Sequence, residues 1–203
     1  MRPIRPHPSE SDPTLHSQAN GWQRRAFVLR VCASVAAALV APAHAFSLFG
    51  RAPEWPAIKK DMRERHPSVP QLTTQQLLAW QADATRTPAL LLDARAPQEY
   101  AVSHLRGAKL TPDLSAALSV LQGLALDTPV VVYCSVGVRS SALADQLIGA
   151  GWRNVSNLEG SLFEWANLGH PVFRGAVPVT KVHPYNKTWG TLLDRKRWDE
   201  SAL

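Results

Sequence analysis

The strongest apolar signal in the chain is "TPVVVYC", Thr128 to Cys134, whose β-branched run predicts a central strand buried on both faces. A second run, "PALLLDAR", is bounded by Pro88 and Asp93 and is too short for a helix, so it also reads as a buried strand. Polar spacing marks the helices. "LTTQQLLAWQAD" opens on Thr73 with Gln76 three residues later, a capping-box spacing that predicts a helix through about Ala82. "EWPAIKKDMRERHPSVPQ", Glu54 to Gln71, reads as a charged amphiphilic lead-in helix closed by Pro67. "APQEYAVSHL" makes a short helix, "GAKLTPD" a turn with a short extended piece, and "LSAALSVLQGLAL" a helix interrupted at Gly123. In "SSALADQLIGAG", Leu143 with Leu147 and Ala144 with Ile148 share one stripe of a helix that begins near Ser140, with Gly151 as its C-cap. "WRNVSNLEG" predicts the final strand, and "SLFEWANLGHPVF" a helix ended before Pro171. Strands alternating with helices, too far apart for hairpins, imply an α/β fold with a central parallel sheet and helices on both faces.

Both ends of the chain depart from this pattern. Residues 1–23 are rich in Pro, Ser, His and Asn without periodicity; a cationic start, an Ala/Val/Leu stretch and the small-residue site Ala43, His44, Ala45 then follow. That is the form of a signal peptide over residues 1–45, cleaved after Ala45. The apolar run Val31 to Val40 falls short of the roughly 20 residues that span a bilayer, so no stable membrane insertion is expected after cleavage. Arg24 and Arg25 resemble the twin-arginine signal, with Gln23 where Ser or Thr is usual; ordinary signals also carry paired arginines, so both routes stay open. The compartment expected is periplasmic or secreted. At the other end, residues 174–203 place Tyr185, Trp189 and Trp198 among turn residues, which predicts a tail that packs back on the domain.

Charge narrows the function little. Of the net +6, Arg2, Arg5, Arg24, Arg25 and Arg30 against Glu10 and Asp12 carry +3, leaving +3 on the exported part, too mild and scattered for nucleic acid. His66, His170 and His183 lack ligand spacing, so neither metal nor cofactor is expected. Cysteine says more. Cys32 leaves with the signal, so Cys134 remains alone, without an intramolecular disulfide, in an oxidising compartment where a spare thiol is a liability unless buried or used.

Cys134 ends the central strand, and ligands of open α/β sheets bind at carboxyl ends of strands. From it "CSVGVR" must turn into a helix, so the backbone N–H groups of Ser135, Val136, Gly137, Val138 and Ser140 can form an anion nest with the helix dipole behind it. Gly137 supplies positive φ for so tight a loop, and Arg139 a fixed cation. Such a setting lowers a thiol pKa and makes Cys134 a nucleophile. The competing reading, a small core residue ending a strand, fits the cysteine alone but not the Gly and Arg spacing.

The "CSVGVR" loop resembles the C-x-x-G-x-R form of the rhodanese family. "LLDARAPQEYAVSHLRGA" is similar to the family's strand and turn pattern at Asp93, Arg95, Glu99, Tyr100, His104, Gly107 and Ala108, and "NVSNLEGSLFEWANLGHPV" at Leu158, Gly160, Trp165, Gly169 and Pro171. Ser103 and Glu159 stand where the family usually has Gly. The resemblance implies a rhodanese-like domain over residues 69–173, after a lead-in at 46–68 and before an extension at 174–203. It further implies a sulfurtransferase: Cys134 takes a sulfane sulfur from an anionic donor such as thiosulfate, stores it as a persulfide and passes it to a thiol or cyanide-like acceptor, a protein acceptor included. Arg139 would then grip the donor, Asp93 and Arg95 would form a structural pair, and His104 would be a turn residue.

Two rivals remain at this point. Related folds that hydrolyse phosphate or reduce arsenate use a Cys and Arg loop on oxyanions, one residue longer in the phosphatases as the resemblance implies, and other domains of this type bind partners without catalysis, often without the cysteine. The loop length favours sulfur.

Overall fold

Alternation along the strands divides the interior in two. The protein is described by a computed structural model over residues 52–202, and the expected signal peptide lies outside the described residues. Strands β1 (Gln71–Leu72), β2 (Leu90–Asp93), β3 (Lys109–Leu110), β4 (Val130–Tyr133) and β5 (Val155–Leu158) form a parallel sheet in the order β1-β5-β4-β2-β3. Every residue of the central β4 is buried. Leu91, Val131, Tyr133 and Leu158 enter one core, with Ile58 and Met62 of α1 (Trp55–Arg65), Leu77 and Trp80 of α2 (Thr74–Ala82) and Leu162, Phe163 and Trp165 of α6 (Ser161–Asn167). Their strand neighbours Leu92, Val130, Val132 and Val155 enter the other, with Ala117 and Leu121 of α4 (Leu114–Leu121) and Leu143, Ala144 and Leu147 of α5 (Val138–Gly149). Side chains two apart share a face, so Cys134 belongs with Val132 on the α5 side.

Local signals account for the helix ends. Thr73 Oγ1 accepts from Gln76 N while Gln76 Oε1 accepts from Thr73 N, closing the expected capping box. Gly151, at φ +99, follows the last turn of α5. Three features differ from expectation. Helix α5 starts at Val138, two residues before Ser140, because Gly137 already makes the turn. The edge strand β1 forms because Leu72 O and Pro70 O accept from the amides of Glu159 and Asn157, a pairing invisible in so short a segment. And β5 is not the last strand: Val172–Arg174 (β6) and Val177–Val179 (β7) make a separate antiparallel hairpin turned by Gly175 at φ +59.

The lead-in and the tail belong to the same core as the sheet. From the tail, Val182, Trp189, Leu192, Leu193 and Trp198 join Ile58, Met62 and the α6 residues, and the Trp198 indole donates to Leu193 O at 3.0 Å. Burying two tryptophans and two leucines contributes several kcal/mol at roughly 25 cal/mol per Å² of apolar surface, enough to hold a segment with little regular structure. Among the described residues no helix is long and apolar enough to cross a membrane.

Candidate active site

The loop after β4 gets its shape from α6. The amides of Leu162 and Phe163 donate to Cys134 O at 3.1 Å and Ser135 O at 3.0 Å. In a planar trans peptide the next N–H points opposite to the carbonyl, so the amides of Ser135 and Val136 are directed away from α6. Ser161 Oγ accepts from Cys134 N at 3.1 Å and donates to Leu158 O at 2.9 Å, holding the strand end itself. Gly137 then turns the chain at φ +113 and its amide donates to Cys134 Sγ at 3.1 Å. A side chain there would be strained, and its Cβ would lie 2.6 Å from Met62 Sδ, so α1 closes the back of the loop.

Cys134 is 1% exposed and free. Burial pushes its thiol up, but the Arg139 charge, the Ser140 hydroxyl and the amides of Ser140 and Gly137 outweigh it, and the net shift is downward. The Ser140 hydroxyl cannot donate to the sulfur and to Asn157 at once: it has one proton, and its shortest contact is to Asn157 Oδ1, 2.6 Å, with Gly137 O at 3.1 Å. Asn157 is held in that orientation, since its Nδ2 donates to Gln71 Oε1 at 2.7 Å and Gln71 Nε2 donates to Val69 O at 3.2 Å. We therefore assign the proton to Asn157 and leave the sulfur to the two amides, the helix terminus and Arg139.

Arg139 already has partners within the fold: Nη1 and Nη2 donate to Glu99 Oε2 and Oε1 at 2.6 and 2.8 Å, and Nη2 also to Ser135 Oγ at 3.0 Å. Ser135 Oγ in turn donates to Glu99 Oε1 at 2.9 Å, so its side chain too is turned to the carboxylate. Glu99, in the first turn of α3 (Pro97–Val102), has a side chain only 2% exposed. Burial pushes its pKa up, yet the hydrogen bonds and charge of Arg139, the charge of Arg95 and the Ala96 amide bring it down to about 2. The Arg139 guanidinium also lies 5.0 Å from the ring centre of Tyr185. Of the expected binding groups, then, the side chains of Ser135 and Arg139 both contact Glu99, and Val136 and Val138 pack in or against the core.

The neighbouring residues behave structurally. Arg95 is fully buried and paired with Asp93 through Nε at 2.9 Å and Nη2 at 2.6 Å, and it also donates to Ser103 O at 2.6 Å. His104 Nε2 accepts from Gly175 N at 3.1 Å and its ring stacks on Tyr100, which fits a turn residue. Among the described residues no cluster could hold a metal. Glu99, Asn157, Ser161, Met62 and Tyr185 were not assigned to the site from sequence. Only Glu99 carried a local sign, its place three residues after Ala96 at a helix start, where it accepts the Ala96 amide at 3.0 Å.

A strand-end cysteine cradled by a C-x-x-G-x-R loop on a parallel sheet defines a class, and the comparisons agree: residues 73–168 match the rhodanese-like domain. This chain belongs to the rhodanese family. It is 33% identical over 94 residues to thiosulfate sulfurtransferase GlpE of Pseudomonas entomophila, covering 46% of this chain and 82% of that protein. With GlpE of Pseudomonas fluorescens it is 34% identical over 86 residues, covering 42% and 78%. A solved thiosulfate sulfurtransferase from Pseudomonas aeruginosa shares the fold, with a TM-score of 0.51 and 23% identity over 68% of this chain and 27% of that one. Residues 182–199, which bring Tyr185 to Arg139, lie outside the family match.

Proposed function

We propose that the protein is a sulfurtransferase that carries sulfane sulfur on Cys134. The observation that carries this reading is the Gly137 amide donating to a buried sulfur at 3.1 Å, in a loop whose Ser135 and Val136 amides are directed away from α6. The Cys134 thiolate attacks the outer sulfur of a donor such as thiosulfate. The new S–S bond forms as the S–SO₃ bond breaks, and sulfite leaves with the electron pair. A thiolate or cyanide then attacks the outer sulfur of the persulfide, and Cys134 returns as thiolate. No proton need move and no general base is required, because the nest holds the negative charge at each stage. The donor's sulfonate would meet loop amides and the α5 N-terminus, since the Arg139 fork is engaged by Glu99.

A rival phosphoryl reaction is disfavoured on the same ground. A tetrahedral phosphate needs an arginine fork as well as several amides, and here the fork is taken and the loop is short. The export segment expected over residues 1–45 supports a periplasmic or secreted setting.

Intact mass after thiosulfate treatment tests the reading. The expected product is heavier by one sulfur, reverts with cyanide and is absent in Cys134→Ser, while aryl phosphate is not hydrolysed. Phosphate hydrolysis lost in Cys134→Ser, without a persulfide in the unaltered protein, would overturn it.

A further inference from the structure

The segment that reaches the loop from the tail is firmly held. Val182 N donates to Arg197 O at 2.7 Å and Asp199 N to Val182 O at 3.0 Å, while the Trp198 ring fills the space beside Gly190. His183 Nδ1 accepts from Tyr185 N at 2.9 Å, which turns the chain tightly and leaves Tyr185 at φ +66. A left-handed tyrosine is rare, and such conformations collect where a side chain must be aimed. Here it is aimed at Arg139, whose guanidinium lies 5.0 Å from the ring centre.

Charge around the loop is closely matched. Arg139 is paired with Glu99 and Arg95 with Asp93, each through two hydrogen bonds, so these four side chains sum to zero and the Cys134 thiolate adds a negative charge. The Arg139 guanidinium donates to a carboxylate and also lies over an aromatic ring, an arrangement that satisfies the cation twice. A doubly charged oxyanion approaching the loop finds amides and an Arg139 whose Nη1 and Nη2 already bond Glu99 and whose side chain is 35% exposed. A sulfane sulfur borne on a thiol does not need that cation.

Resting on the sulfur-transfer reading above, we propose that Tyr185 is a specificity-determining residue, covering part of Arg139 so that the site prefers a low-molecular-weight organic persulfide to an oxyanionic donor. The Cys134 thiolate attacks the outer sulfur of R–S–SH. The Cys134 S–S bond forms, the R–S to sulfur bond breaks, R–S⁻ leaves, and the proton stays on the transferred sulfur or passes to the departing thiolate. No oxidant or reductant is consumed.

The test compares kcat/KM for glutathione persulfide and thiosulfate in the full chain and in Tyr185→Gly, Tyr185→Asn and Tyr185→Phe. Glycine and asparagine accept positive φ, so both remove the ring without straining the turn. The unaltered protein is expected to prefer the persulfide. In Tyr185→Gly and Tyr185→Asn the preference should shrink about fivefold, the factor that roughly 1 kcal/mol of cation–π attraction represents, through a lower KM for thiosulfate. Tyr185→Phe should keep the preference. A preference unchanged in both Gly and Asn variants, or both donors weakened equally, overturns the role of Tyr185 and leaves sulfur transfer standing. No sulfur on Cys134 by intact mass with either donor overturns both.

Discussion

Replacing Glu99 by glutamine keeps the side-chain shape and removes the charge that Arg139 and Ser135 both contact. The Glu99 pKa falls from an ordinary 4.5 to about 2 on folding, burial opposing the shift and Arg139 driving it. At about 1.4 kcal/mol per unit, that is roughly 3 kcal/mol. It is an upper figure, because the Arg139 side chain is 35% exposed and water screens the pair. The folded pKa is the lower one, so the contribution is fully present above about pH 5 and is lost as pH falls toward 2. Glutamine resembles the protonated state. Glu99→Gln should therefore be less stable than the unaltered protein by about 2–3 kcal/mol at pH 7, and the two should converge near pH 2. Urea unfolding followed by tryptophan fluorescence at several pH values between 2 and 7 measures the difference. All other carboxylates are common to both proteins and cancel. Parallel stability profiles across that range would refute the claim that Arg139 is held by an ionised Glu99.

Two further substitutions probe the loop itself. In Ser140→Ala the pH inflection of Cys134 alkylation, below that of a free cysteine in the unaltered protein, should stay within about 0.3 unit, because the lost hydroxyl donates to Asn157 and not to sulfur; a rise of about a unit would show the proton on sulfur. Gly137→Ala should cost about 1–3 kcal/mol in urea unfolding and depress sulfur transfer, since its Cβ would be strained at φ +113 and would lie 2.6 Å from Met62 Sδ. An alanine variant of unchanged stability would mean that the loop is free to relax.

What the sequence determined by itself is what local chemistry can determine. The β-branched run Val130–Val132, the Thr73 and Gln76 capping box and the period of Leu143, Ala144 and Leu147 specify a strand and two helices through contacts within a few residues. The loop from Cys134 to Arg139 is equally local: a strand end, a glycine that accepts φ +113 and a helix start fall within six residues, so the turn from a strand-end cysteine into a helix was legible. The partners of that loop were not. Glu99 meets Arg139 from 40 residues away, and Asn157 meets Ser140 from 17. Met62 and Tyr185 arrive from the lead-in and the tail, beyond the reach of any spacing rule. An arginine four residues from a cysteine fits equally well a donor's grip or a buried carboxylate's partner, because residue type states what a group can bind and not what stands beside it. Only the packing of α3 against the loop decided that the Arg139 fork holds Glu99, and only the burial of Trp189 and Trp198 in the core behind α6 brought Tyr185 over its face.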